Sequence, residues 1–413
     1  MRIAYFLNDF PVLSQTFILN QITGIIDSGA DVKLFAFRKT PMAVNDVHEI
    51  IHKYELLDNV TYLEPKPKNK FAAILRVLSL FFSRATLFEP MLALKVLRGM
   101  KNIPSSKFLQ FATDVLQSEK HTFDVIHCQF GTIAPRVLNL IETGRFQGKL
   151  VTSFRGFDAT KYPLRYPGVY KQLFDKGDFF LPVSRSLRKN LIDLGCSPEK
   201  IDVLHSGLEM NKFLFHQKNL DINSPIRIIT IGRLVDKKGI DYAVKAIAIA
   251  ISAGKSIQYS IVGSGPLKSD LQLLVDQLGI NEQVEFLGSK THREIVKLLS
   301  EHHILVAPSV TANDGDKEGI PNVMKEAMAV GLPTLGTRHG GIPELVEHNK
   351  SGYLVDEKDT KALADMIIYM CDHPEEWSKI CSEARSVIQE EFDIKKLSSK
   401  LVEIYANLIN NTR

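Results

Sequence analysis

The chain alternates short, almost wholly apolar runs with segments of helical pattern. In the first half the apolar runs are RIAYFL, VKLFAF, DVIH, KLVTSF and FFLPV, at residues 2–7, 32–37, 124–127, 149–154 and 179–183. In the second half IRIITIG and IQYSIVG, at 226–232 and 257–263, have the same character. Such runs are typical of strands buried on both faces of a parallel sheet. The pattern therefore predicts an α/β fold, and one more strand is predicted to end near Gly207.

Two domains are expected, because 413 residues exceed what one hydrophobic core usually supports. The polar, irregular stretch NKFLFHQKNLDINSP falls within the predicted linker, residues 209–225. The first domain is then 1–208 and the second is 226–392. Residues 393–413 include a helix whose apolar positions share one face.

Composition places the chain among ordinary globular proteins. Apolar residues make up 45% and charged residues 24%, and the net charge of +4 does not indicate a nucleic-acid partner. The four cysteines are scattered without ligand-like spacing, which argues against disulfides and zinc. No run approaches the roughly 20 apolar residues that cross a bilayer, and the apolar N-terminal run is too short for a secretion signal. A cytoplasmic location is expected.

Two glutamates near the middle of the second half carry the most chemical information. Glu318 and Glu326 are separated by seven residues, and the pattern predicts a helix over 322–330, directly after Pro321, a residue that suits a helix start. Glu318 then lies in the loop that enters the helix, and Glu326 lies one turn inside it. The free N–H groups of a helix start attract phosphate, and carboxylates accept hydrogen bonds from sugar hydroxyls. This arrangement suits a nucleotide sugar, whereas the simpler alternative is a polar loop before a capped surface helix.

A second phosphate-binding candidate follows the run IRIITIG, where the chain carries Arg233, Lys237 and Lys238. Cations at the carboxyl end of a parallel strand face the crevice where α/β sheets bind ligands. Arginine grips phosphate through its planar fork and lysine supplies a compact charge. The next predicted strand ends at Gly263 and Gly265, where the backbone can approach a flat base. The alternative is that the cations are solvated turn residues.

These motifs occur in a consistent order that resembles the donor half of the retaining family 4 glycosyltransferases. The matching segments are GRLVDKKG (232–239), VGSGP (262–266), VEFLG (284–288), APS (307–309), EGIPNVMKEAMAVGLP (318–333) and GGIPELV (340–346). The resemblance implies the GT-B fold, in which two Rossmann-like, doubly wound α/β domains face a deep cleft. It also implies that the C-terminal helices cross back to the N-terminal domain. The second domain would bind the nucleotide-sugar donor and the first would bind the acceptor.

The resemblance also assigns roles to residues. Arg233 and Lys238 would hold the donor diphosphate, with Lys238 preferred to Lys237 because the family lysine usually directly precedes the glycine. Glu318 would contact the hydroxyls of the transferred sugar, and Glu326 would contact the ribose diol. The other residues predicted to bind the donor are Gly263, Gly265, Gly319, Ile320, Pro321 and Asn322.

The first half departs from the family pattern. PVLSQTFILNQI (11–22) resembles the first turn and helix of the exopolysaccharide branch, so Ser14 is predicted either to cap that helix beneath the phosphates or to be a plain cap. VTSFRGFDA places Arg155 where the family often has a histidine, and Arg155 and Asp158 are active-site candidates or a structural pair. His127 is a further catalytic candidate, although a buried, satisfied histidine is the alternative.

Asp314 and Asp316 have the spacing by which other glycosyltransferases hold a divalent cation. The loop already contains a helix start and two cations, and related sequences carry acids here without needing a metal. We therefore expect no metal and no cofactor other than the UDP- or GDP-sugar substrate.

The segment 66–107 bears on location. It contains nine lysines or arginines and one acid, Glu89, and its apolar residues at helical spacing are Phe71, Ile74, Leu75, Leu78, Phe81 and Phe82. A basic amphipathic segment can lie in the headgroup plane of an anionic membrane, which would place the protein at the inner face of the cell membrane. The alternative is a helix that buries this stripe against the first sheet.

The function implied by the resemblance is transfer of a hexose, with retention, to a lipid-linked or growing surface polysaccharide. The branch resembles colanic-acid and other exopolysaccharide glycosyltransferases. Two alternatives remain open: a nucleotide-sugar 2-epimerase of the same architecture, and a non-catalytic subunit that binds the donor.

Overall fold

A computed structural model describes residues 1–12, 16–40, 49–63, 69–82, 89–102, 105–216 and 224–410. Two parallel sheets of six strands each, with helices on both faces, form two successive α/β domains. No helix within these described ranges is long and apolar enough to cross a membrane.

The first sheet has the strand order β3-β2-β1-β4-β5-β6. Its strands are β1 (Arg2–Phe10), β2 (Asp31–Lys39), β3 (Val60–Tyr62), β4 (His121–Cys128), β5 (Phe146–Phe154) and β6 (Phe179–Pro182). The five apolar runs predicted as strands all form strands. The prediction missed β3, because three half-buried residues at a sheet edge carry no apolar run.

Nine helices of the described residues surround this sheet. They are α1 (Thr16–Asp27), α2 (Glu49–Lys53), α3 (Lys70–Leu80), α4 (Pro90–Asn102), α5 (Ser105–Gln117), α6 (Ala134–Glu142), α7 (Lys161–Arg165), α8 (Lys171–Lys176) and α9 (Arg185–Asp193). One sheet face is packed by a phenylalanine cluster in which Phe6 stacks on Phe35 at 5.0 Å. The opposite face packs against α1 and the C-terminal helix.

The second sheet has the order β12-β11-β10-β7-β8-β9. Its strands are β7 (Ile226–Ile231), β8 (Ile257–Val262), β9 (Val284–Gly288), β10 (Ile304–Ala307), β11 (Thr334–Thr337) and β12 (Tyr353–Val355). The helices that follow β7 are α10 (Ile240–Ser252), α11 (Lys268–Leu278), α12 (His292–Glu301), α13 (Asn322–Val330), α14 (Ile342–Leu345), α15 (Thr360–Asp372), α16 (Trp377–Glu391) and α17 (Ile394–Asn410). The strand order reverses at β7, so the crevice beyond the carboxyl ends of β7 and β10 is the expected ligand site.

The C-terminal helix returns to the first domain, as predicted. Leu401 and Tyr405 of α17 lie in one buried cluster with Ile3 and Tyr5 of β1. The chain leaves the first domain near Leu208 and returns to it near Phe392. These two connecting segments run side by side, because Leu208 exchanges backbone hydrogen bonds with Phe392 and Ile394 at 2.8 and 3.0 Å.

The predicted strand ending near Gly207 does not form. The segment follows β6, and Asp202 and Leu204 donate backbone hydrogen bonds to Phe180 and Pro182 at 3.2 and 3.0 Å. Only an isolated bridge between Phe180 and Ile201 results. Pro182 has no N–H, so it cannot supply the return bond that would extend a regular parallel ladder.

Candidate active site

The helix α13 begins at the carboxyl end of β10, after a loop that contains Glu318. It spans Asn322–Val330, as predicted, and Gly331 ends it in a left-handed conformation with φ 82°. Pro321 directly precedes the first helical residue. With ψ at 123°, Pro321 is extended, and its carbonyl accepts a bond from Met324 N–H at 3.2 Å. It therefore lies one residue before the first helical position, which proline also suits.

Glu318 lies between two lysines of the β7–α10 turn. Its carboxylate is 3.3 Å from the ammonium groups of both Lys237 and Lys238. Burial opposes ionisation of Glu318, but the two lysines lower its pKa to about 2. Lys237 also contacts Asp316 at 3.1 Å. The site therefore holds a carboxylate that is ionised at neutral pH and lies between two cations.

The β7–α10 turn brings these lysines to the loop before α13. Asp236–Lys238 form one 3₁₀ turn, and Gly239 enters α10 with φ 58°. A Cβ atom at Gly239 would lie 2.1 Å from the carbonyl oxygen of Pro308, so only glycine permits this approach. Arg233, at the start of the same turn, is exposed.

Gly263 and Gly265 pack the β8 turn onto the Arg233 turn. A Cβ atom at Gly263 would lie 1.8 Å from the carbonyl oxygen of Gly232, and one at Gly265 would lie 2.3 Å from that of Leu234. Their close approach in this structure is therefore to the neighbouring backbone. That approach fixes the position of Arg233 relative to β8.

Glu326 is buried one turn inside α13 and faces α12. Its carboxylate lies 3.4 Å from Nε2 of His292, and this hydrogen bond raises the pKa of His292. Both residues line an open pocket between the domains. The rest of its lining is Thr16, Phe17, Asn20, Gly207, Leu208, Glu209, Lys212, Phe213 and Asn322. The sequence reasoning did not single out His292, although the T-H-R-E capping box marks a helix start at this point.

His339 supports the backbone of Glu318 and was also missed. Its Nε2 accepts a hydrogen bond from Glu318 N–H at 3.1 Å, and its Nδ1 lies 3.0 Å from Glu357. Burial lowers the pKa of His339, which fits a neutral ring that accepts at one nitrogen and donates at the other. Glu357 in turn accepts a bond from Thr311 N–H at 2.5 Å. These contacts position the loop that carries Glu318.

Arg155 is charged and lies at the floor of the cleft. Its guanidinium donates hydrogen bonds to the carbonyl of Gln129 at 3.1 Å and to Oε1 of Gln21 at 3.1 Å. The guanidinium carbon Cζ also lies over the ring of Phe17, 4.7 Å from the ring centroid. Burial lowers its pKa to about 10, so it stays protonated at neutral pH. It also lines a second pocket with Ser206.

Asp158 shapes the Arg155 turn through the backbone. Its carboxylate accepts bonds from the N–H groups of Gly131, Arg155 and Gly156, each at 2.9 Å. The carboxylate is fully buried, and burial raises its pKa. The contact between Asp158 and Arg155 is thus made through the backbone of Arg155.

His127 is fully buried beneath the cleft. Its Nδ1 lies 2.5 Å from the Tyr405 hydroxyl and its Nε2 lies 2.8 Å from the Ser153 hydroxyl. Burial lowers its pKa well below the ordinary value, so the ring is neutral. The structure gives this candidate the environment of a satisfied core histidine. Ser14, the remaining candidate, lies outside the described residues.

The two domains meet across the loop that precedes α13. Asp314 forms an ion pair with Lys161 of the first domain. Glu344 of α14 accepts bonds from the N–H groups of Arg185 and Ser186 at 2.7 and 2.9 Å, at the start of α9. In the described part of the chain, no group of three or more His, Cys, Asp or Glu residues is arranged to hold a metal ion.

Comparison with known proteins identifies relatives over the whole chain. Residues 211–387 match the family described as glycosyl transferases group 1. The chain is 34% identical over 411 residues to the amylovoran biosynthesis glycosyltransferase AmsK of Erwinia amylovora, covering 99% of this chain and 100% of that protein. It is 33% identical over 407 residues to the putative colanic acid biosynthesis glycosyltransferase WcaL of Escherichia coli strain K12, covering 98% and 99%.

Solved structures share the fold at low identity. HepE of Anabaena in complex with UDP-glucose aligns with a TM-score of 0.70 and 16% identity, covering 98% of this chain and 99% of that chain. Sucrose-phosphate synthase from Thermosynechococcus elongatus aligns with a TM-score of 0.70 and 18% identity, covering 100% of both chains. The predicted GT-B fold and family resemblance are confirmed, and the chain belongs to the group 1 family of glycosyltransferases.

Proposed function

We propose that this protein transfers a hexosyl unit from a UDP- or GDP-sugar to a lipid-linked or growing glycan during exopolysaccharide synthesis. The names of AmsK and WcaL support the exopolysaccharide assignment. The UDP-glucose bound to HepE, a protein of the same fold, supports a nucleotide-sugar donor.

The observation that carries the proposal is the convergence of two lysines on Glu318 beside the start of α13. Lys237 and Lys238 reach this point from the end of β7, and the backbone N–H groups of α13 reach it from the end of β10. Together they offer cations and a helix dipole to a diphosphate, while Glu318 offers acceptors to sugar hydroxyls.

In the proposed donor pose, Glu326 and His292 bind the ribose in the cavity between α1 and α13. Glu326 accepts hydrogen bonds from the ribose diol, and the neighbouring His292 lines the same side of the pocket. Arg233, exposed on the turn after β7, supplies the planar fork for a phosphate. The base then lies toward the β8 turn at Gly263 and Gly265.

Transfer follows from this charge distribution. Cleavage of the anomeric bond places negative charge on the departing diphosphate, which the lysines and the α13 start stabilise. Positive charge develops on the sugar beside Glu318. An acceptor hydroxyl oxygen bonds to the anomeric carbon on the same face that the diphosphate leaves, with retention, and its proton passes to the departing phosphate oxygen. Asp314 and Asp316 face Lys161 and Lys237, so we assign neutralisation of the diphosphate to cationic side chains and not to a metal.

Two other functions predict different products. A 2-epimerase would convert the donor alone into a new epimer, whereas the proposed transferase leaves the sugar unchanged until an acceptor is present. A non-catalytic subunit would bind the donor and transfer nothing to any membrane-derived acceptor. Chromatography of donor-only and donor-plus-acceptor incubations separates the three outcomes.

The site assignment is tested by calorimetric titration with UDP-, GDP- and ADP-sugars. Glu326→Ala should weaken binding of the preferred donor about tenfold, because two hydroxyl hydrogen bonds are lost. Arg233→Ala should weaken it further, by about a hundredfold, because a charged bidentate contact is lost. Lys361→Ala, an exposed lysine on α15, is the matched control and should bind normally. Unchanged affinity in both site variants would remove the assignment.

A further inference from the structure

Helices α3 and α4, together with Phe82 just beyond the end of α3, expose apolar side chains that would ordinarily be buried. Phe71 is 68% exposed, Met91 is 65% exposed and Phe82 is 63% exposed. The other exposed large apolar residues of this segment are Ile74, Leu75, Leu78, Leu94 and Leu97. Eight of the twenty exposed large apolar side chains in the described ranges therefore lie within 71–97, a concentration that marks an interaction surface.

The exposed stripes lie on the faces of α3 and α4 that point away from the core. The core side of α3 consists of Ala73 and Val77, and that of α4 consists of Leu92 and Val96. Both helices pack against α5. The sequence alternative in which the α3 stripe is buried against the first sheet is therefore wrong, except for Phe81, which packs partly against the core.

Cations accompany these stripes along the chain. The segment 66–107 contains nine lysines or arginines, and among those whose side chains the structure describes, Lys70, Arg98 and Lys107 are exposed. Its single acid, Glu89, is 3.0 Å from Arg145, so its charge is already paired. The segment therefore combines exposed apolar side chains with exposed positive charges and no unpaired acid.

We propose that the exposed faces of α3 and α4, with their flanking cations, form a docking surface for an anionic lipid bilayer. Apolar side chains at helical spacing insert below the headgroups, and lysines and arginines contact anionic lipids. A second copy of the chain docked through the same face would bring two sets of cations together, which disfavours self-association there. The surface places the acceptor domain at the membrane, where a lipid-linked acceptor would be found.

The test is cosedimentation of the full-length protein with vesicles, without any nucleotide sugar. The wild type should bind vesicles of phosphatidylglycerol in phosphatidylcholine at least about tenfold more strongly than pure phosphatidylcholine vesicles. Phe71→Ser with Leu75→Ser should reduce that binding at least about tenfold. The matched control, Ile249→Ser with Leu273→Ser, removes two exposed apolar residues of the second domain and should bind as the wild type does.

A charge variant tests the contribution of the cations apart from that of the apolar side chains. Lys70→Glu with Arg98→Glu should weaken binding to the anionic vesicles about tenfold, and added salt should have a smaller effect on this variant. Lys297→Glu with Lys361→Glu, in the second domain, is the charge-matched control. Circular dichroism and thermal unfolding verify that each variant is folded.

Three outcomes overturn the proposal. The first is a wild type that binds neither vesicle. The second is an apolar variant that binds vesicles as the wild type does. The third is a wild-type dimer that the apolar variant converts to monomer without any change in vesicle binding. Because no donor is present, these results are independent of whether the proposed transfer reaction is correct.

Discussion

At the scale of single residues, the site depends on one carboxylate shared by two cations. Glu318 contacts Lys237 and Lys238 at equal distances, and the lysines keep its pKa near 2. A diphosphate held by these lysines would share them with Glu318. In the proposed mechanism, the charge of Glu318 would oppose phosphate binding and favour the positive charge that develops on the sugar during transfer.

Glu318→Gln should separate binding from catalysis. Titration with UDP should show unchanged or severalfold tighter binding, because the lysines lose a competing negative charge. Transfer under saturating donor should fall by about a hundredfold or more, since an electrostatic contact in the transition state is lost. Glu301→Gln, on the exposed end of α12, is the control for loss of a carboxylate. A tenfold loss of UDP affinity would instead show that Glu318 holds the nucleotide.

At the scale of elements, the site is made by turns that interlock at the carboxyl ends of neighbouring strands. Gly239 lets the β7 turn approach the β10 loop, and Gly263 lets the β8 turn approach the β7 turn. These approaches join turns through backbone contacts, which leave no room for a side chain. The positions of Arg233 and the lysines are therefore set by three elements together.

Gly263→Ala should destabilise the second domain by about 2–4 kcal/mol, because the added methyl group meets a carbonyl oxygen and φ is 140°. Gly254→Ala is the matched control, since its φ is 87° but no atom lies within 4 Å of the new Cβ. The free energy of unfolding of that control should fall by only about 1 kcal/mol. Urea unfolding measures the free energy of unfolding of both variants. Equal losses would show that the close contact between the β7 and β8 turns does not contribute to stability.

At the scale of the whole molecule, Lys325 of α13 lies where the chain crosses between the domains. Its ammonium donates to the carbonyl of Ser206 at 2.5 Å and lies 5.5 Å from the ring of Phe392. Burial lowers its pKa to about 7. The Lys325 side chain thus contacts both of the segments that connect the domains. Its protonation state is therefore tied to the packing of the two domains.

The pH dependence of stability should reveal this lysine. The unfolded chain keeps the Lys325 proton up to a pKa of roughly 10.4, whereas the folded protein loses it near pH 7. The unfolded state binds more protons between these values, so stability should rise with pH across this window, by roughly 5 kcal/mol in total. Below pH 7 both states are protonated and the folded state carries the full cost of burial.

Lys325→Met should remove this contribution. Urea unfolding between pH 6 and pH 10 should show that the stability of the wild type relative to the variant rises as the pH increases. The difference between the two proteins isolates Lys325 from other titrating groups. Parallel pH profiles would contradict the prediction.

The sequence by itself determined the features that are written in local patterns. Buried parallel strands are continuous apolar runs, so β1 and β7 are visible without a structure. The α13 helix is bounded by residues with strong local preferences, so its limits were predicted correctly. The order of the donor motifs likewise identified the family.

Only the tertiary structure decided which groups meet. His339 supports Glu318 from 21 residues away, and His292 reaches Glu326 from the preceding helix, which no local pattern encodes. The periodicity of α3 shows that its apolar residues share a face but does not show which way the face points. Helix α3 packs on α5, and its Ala73 and Val77 are buried in the core, so the apolar face points outward. Long-range contacts, which periodicity does not encode, set this direction.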